Sequence, residues 1–68
     1  MWNYRVVRKK QGEEVQYGIH EVYYENNVPW HCTKNPVAFV WYDEDNALEI
    51  LEMVREGMFK PVLDYDDF

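Results

Sequence analysis

Asp43-Glu44-Asp45-Asn46-Ala47-Leu48-Glu49-Ile50-Leu51-Glu52-Met53-Val54-Arg55-Glu56-Gly57-Met58 is the stretch in which the apolar spacing of the chain changes. Ala47, Ile50, Leu51, Val54 and Met58 recur at helical intervals and define one stripe. Glu49, Glu52 and Glu56 fall on the opposite side. Asp43 has the chemistry of an N-cap, and the acids beside it oppose the helix dipole. Gly57 predicts the stop, and Pro61 forbids continuation. An acidic amphipathic helix over residues 43–59 follows from this pattern.

Upstream, the period is two. Residues 2–9 read as a strand with Trp2, Tyr4 and Val6 on one face and Asn3, Arg5 and Val7 on the other. Lys10-Gln11-Gly12-Glu13 predicts a hairpin turn, with Gly12 free to take positive φ. Residues 14–24 read as a longer strand whose apolar phase becomes ambiguous after Ile19. Either both faces are covered there, or a bulge shifts the phase. Gly18 fits a bulge or a ring packed across the strand. Glu25-Asn26-Asn27 predicts the next turn. Residues 28–33 read as a third strand, at an edge because Pro29 has no N–H to donate. Residues 37–42 have strand composition and predict either a fourth strand or an extended connection.

Downstream, residues 60–68 form an acidic tail. Val62 and Leu63 are expected on the core, with the last residues mobile. The order β-β-β-(β)-α implies an α+β fold. Its expected form is a three- or four-stranded antiparallel sheet with one C-terminal helix packed on one face. Residues 1–68 are read as a single small domain, with 1–42 as an aromatic-rich sheet.

Three segments carry a resemblance: Asn3-Tyr4-Arg5-Val6-Val7, Gly18-Ile19-His20-Glu21-Val22-Tyr23-Tyr24 and Lys60-Pro61-Val62-Leu63-Asp64-Tyr65. They resemble those of a family of short uncharacterised bacterial proteins, over most of the chain except residues 37–53. Relatives have a connection with Pro and Gly before the helix, where this chain has Phe39-Val40-Trp41-Tyr42. The resemblance implies a fold and no activity.

The net charge is −6. Residues 1–42 carry five bases and four acids, whereas residues 43–68 carry nine acids and two bases, Arg55 and Lys60. This balance disfavours nucleic acid, since such binders neutralise phosphates with basic side chains. It suits solubility, or attraction to a basic surface. Cys32 is the only cysteine, so no disulfide forms within the chain. No basic-then-apolar leader opens the sequence, and no apolar run approaches a bilayer span. A soluble cytoplasmic protein is expected.

Little material supports catalysis. There is no serine, one threonine and one thiol. A Cys32–His20 pair across the sheet is the one nucleophile arrangement available. His20 otherwise reads as a polar tip at the sheet surface. His20, His31, Cys32 and Glu21 do not follow a closed zinc spacing. The isolated glycines make no phosphate loop, and the acid clusters make no calcium loop. No catalytic residue, metal or cofactor is assigned.

What remains is excess aromatic surface. A chain of 68 residues buries only about 60% of its unfolded surface. It holds three Trp, six Tyr and three Phe, of which a two-layer fold hides about half. The leading expectation is a non-enzymatic module that binds another protein or a second copy of itself. Trp30, Trp41 and Tyr42 are its expected anchors, with Glu49, Glu52 and Glu56 as rim charges. A small acidic inhibitor that imitates nucleic acid is one form of this. The first alternative is single-stranded nucleic-acid binding through Tyr4, Arg5, Arg8 and Lys9 on the first strand. The second is a small metal-binding or enzyme-accessory protein.

Overall fold

The computed structural model describes residues 1–68. Strands β1 (Trp2–Gln11) and β2 (Glu14–Glu25) form a hairpin closed by Gly12 and Glu13, with Gln11 opposite Glu14. Gly12 takes a φ of 62°, as the tight connection requires. Asn26 and Asn27, at φ 53° and 64°, turn the chain into β3 (Val28–Cys32). Two successive left-handed residues match the twist of the flanking strands, and Asn tolerates that conformation. Strand β3 is an edge, as Pro29 demands.

The fourth strand is not residues 37–42. That segment is irregular, and the sheet is completed by β4 (Leu63–Asp64), which pairs in parallel with β1 through Val7–Leu63 and Arg8–Asp64. The strand order is β3-β2-β1-β4. The sheet is therefore mixed, not wholly antiparallel. Composition at residues 37–42 misleads because Val, Phe, Trp and Tyr favour any half-buried extended chain. Here the β2 edge is occupied instead by residues 33–37, with Thr33 N–H donating to Glu21 O at 3.0 Å and Val37 N–H to Ile19 O at 2.7 Å. The ring of Pro36 lies over Gly18, where a Cβ would stand 2.9 Å from it. Gly18 thus marks a packed ring, not a bulge.

Helix α1 (Glu44–Met58) begins as its sequence requires: the Asp43 carboxylate accepts from Asn46 N–H at 2.8 Å. It ends near Gly57, at Met58, with Phe59 as cap. Gly57 is the one buried helical residue, and its bare Cα lies against the backbone of Tyr4, where a Cβ would collide with the Tyr4 carbonyl oxygen. Close approach, not chain reversal, explains this glycine. The expected apolar stripe is only partly enclosed. Ala47, Ile50 and Val54 are half-buried, while Leu51 and Met58 are exposed.

The buried apolar side chains are Tyr4, Val7 and Val22. Arg5 and His20 are buried beside them. After β4, Asp64 caps a 3₁₀ turn (Tyr65–Asp67), and Phe68 is half-buried. Val62 stays half-exposed. No helix is long and apolar enough to cross a membrane.

Candidate functional site

The strand register assembles an aromatic row that sequence spacing does not reveal. Trp2 lies opposite Tyr23 on β2, and Tyr23 lies opposite His31 on β3. Residues directly opposite on paired strands share a face, so these three rings line up across the sheet. Trp30 then extends the row. Pairing jumps from Tyr23–His31 to Tyr24–Pro29, so Trp30 has no partner and is the extra residue of a bulge. The bulge re-aims its indole, which stacks on the His31 ring at 4.5 Å with 15° between planes. Without it, neighbours in a strand would point to opposite faces.

The row is open to solvent. Trp2 is 41% exposed, Tyr23 38% and Trp30 53%. Behind it, Trp2 meets Tyr4 edge-on at 5.2 Å, and Tyr4 meets Phe39 at 5.5 Å. Tyr4 is the only buried ring of the twelve; seven are exposed. The Tyr23 hydroxyl donates to Glu21 at 3.4 Å. Desolvation, reinforced by the Glu21 carboxylate, raises the pKa of both Tyr4 and Tyr23 above the ordinary tyrosine value. Both hydroxyls stay neutral donors at physiological pH.

Trp41 and Tyr42, 50% and 93% exposed, stand in the irregular connection before the helix. Glu49, Glu52 and Glu56 are exposed on α1. Glu52 faces Arg55 at 3.5 Å. Glu56 alone of the three reaches the row, lining a cleft of about 240 Å³ with Met1, Trp2, Tyr4 and Met53. Sequence reading missed Trp2, Tyr23 and His31. Their alignment depends on register, which three separate segments of sequence do not display. The Pro29-Trp30-His31 run opposite Tyr23-Tyr24 was the signal available for the bulge.

The basic-aromatic set of β1 divides between faces and is occupied within the chain. Tyr4 and Arg8 alternate with Arg5 and Lys9. Arg5 donates to the Tyr24 hydroxyl at 2.9 Å and to Pro61 O at 2.6 Å. Arg8 pairs with Asp64 at 2.9 Å. Lys9 donates to Lys34 O at 3.0 Å and lies 4.2 Å over the Tyr65 ring.

His20 is not a surface tip. It is 1% exposed, and its Nδ1 donates to Thr33 O at 2.8 Å. Cys32 lies opposite Val22, and the carbonyl of Thr33, not the thiol, takes the imidazole. Desolvation raises the Cys32 pKa against a smaller lowering from Lys9, which disfavours the thiolate a nucleophile needs. No three His, Cys, Asp or Glu side chains converge in a geometry that could hold a metal ion.

No family model matches the chain, and neither a curated protein nor a solved structure does. Function therefore rests on the geometry.

Proposed function

We propose that this chain is a non-enzymatic module that binds protein through the rings around Trp30. The observation that carries this reading is the solvent-open row Trp2–Tyr23–His31–Trp30, with a bulge holding its outermost indole in place. Rigid aromatic side chains supply large contact area at low entropic cost, and contiguous apolar surface of this kind marks interaction sites. Trp41 and Tyr42 add exposed rings in the connection that follows. The acids of α1 provide a charged surface that meets the row at Glu56, suited to steering a basic partner or imitating nucleic acid.

The test is photo-crosslinking in cells that express the chain. A benzophenone amino acid replaces Trp30 in one version and the exposed Gln16 in another. Protein adducts from position 30, absent from position 16, are expected. Adducts that nuclease removes, or none at position 30, would overturn the reading.

A further inference from the structure

We infer that the surface meeting the aromatic row is a second copy of the same row, so that the chain works as a homodimer. This rests on the binding reading above and names its partner.

Area is the first ground. The monomer exposes 5360 Å² at a mass of 8.3 kDa. A self-sufficient monomer of that mass exposes about 4,600 Å² by the usual scaling of surface with mass. The excess is roughly 800 Å², which is what one partner contributes to an interface of standard size. Only three apolar side chains are buried within the monomer. Small domains with so little core commonly complete it by association.

Charge selects the partner. Two chains of net charge −6 repel, and least where their contact surface avoids the carboxylates. Residues 26–42 contain none, and they carry Val28, Trp30, Val40, Trp41 and Tyr42, all exposed. Glu21 and Glu25 of β2 and Glu56 of α1 flank the row, and Glu21 accepts from Tyr23, so the contact centres on β3, which bears no acid. A surface built for a basic partner would carry acids on the strand that holds its outermost rings, whereas β3 has none and the surplus lies on α1 and the tail. An exposed edge strand without carboxylates suits an isologous contact, in which the same residues appear on both sides of a two-fold axis.

Sedimentation equilibrium of the purified full chain tests this. The mass should rise from 8.3 kDa towards twice that value as concentration passes through the micromolar range. Added salt should tighten the dimer by screening the repulsion between chains. Trp30→Ala should weaken association by about tenfold or more, the size of a central aromatic contact. Its indole is the unpaired bulge residue, so circular dichroism should be unchanged. His31→Glu provides a second variant, placing like charges across the axis, and should leave a folded monomer. A single 8.3 kDa species at every concentration would overturn the dimer. So would a dimer that salt loosens, or one indifferent to both substitutions. A monomer whose position 30 still crosslinks to other proteins would reject the second copy while leaving the binding reading intact.

Discussion

The guanidinium of Arg5 donates from Nη1 to the hydroxyl of Tyr24 at 2.9 Å, joining β1 to the far end of β2 beside the bulge. Its Nη2 reaches Pro61 O at 2.6 Å, so one side chain ties the hairpin to the segment that leads into β4. The residue is only 7% exposed, no carboxylate pairs with it, and its Nε has no partner.

Arg5→Ala should therefore cost on the order of 2–4 kcal/mol, because a buried guanidinium that ties three segments together is lost and two part-buried acceptors lose a charged donor. Arg5→Lys should recover little, since one ammonium cannot fork to both acceptors. Urea unfolding of the two variants checks this. A loss below about 1 kcal/mol for the alanine variant, the size of one ordinary hydrogen bond, would contradict it.

Gly57→Ala tests how closely the helix meets β1. Helix propensity alone would make the change stabilising by about 1 kcal/mol. The collision of the new Cβ with the Tyr4 carbonyl reverses the sign, with a cost of about 1–3 kcal/mol as the helix moves off the strand. A higher melting temperature for the variant would show that no such contact exists.

Alkaline pH should destabilise the chain through Tyr4. Its folded pKa is raised by desolvation and then by Glu21, so the neutral phenol is the form the fold favours. That stability is fully present below the unfolded tyrosine pKa of about 10 and is lost as pH rises through the higher folded value. Absorbance titration should show Tyr4 and Tyr23 ionising above the ordinary tyrosine range. Glu21→Gln should bring both partway back, leaving the desolvation share. Ionisation of Tyr4 and Tyr23 at the ordinary tyrosine value would refute the assignment.

Cys32 should alkylate slowly. Desolvation raises its pKa, and the thiolate is the reactive species. Iodoacetamide near neutral pH should label the native chain more slowly than the urea-unfolded one, and the gap should narrow as pH climbs. Equal rates in the two states would mean that the thiol is not desolvated.

Local features were legible in the sequence. Gly12, Asn26 and Asn27 announce their turns because positive φ selects few residue types. Asp43 announces its cap, and Pro29 its edge, for equally local reasons. What escaped was non-local. Nothing in Leu63-Asp64 distinguishes a two-residue strand from a docked tail, because its partner lies at Val7-Arg8. Gly57 looks like a terminator until Tyr4 is placed against it. Trp30 was readable as an exposed ring. Its neighbours in the row, Trp2 and Tyr23, became visible only through pairing.

The parallel pairing of β4 with β1 also bears on how the chain is made. Residues 63 and 64 are translated long after residues 7 and 8, their partners. Until they leave the ribosome, the nascent hairpin presents a bare outer edge, able to pair with any extended peptide nearby. Arg5 waits equally long for the Pro61 carbonyl. The sheet is thus finished only after synthesis of this final segment. A stalled product ending before Pro61 would leave a sticky strand and an Arg5 without its carbonyl acceptor, a natural substrate for chaperones and proteases.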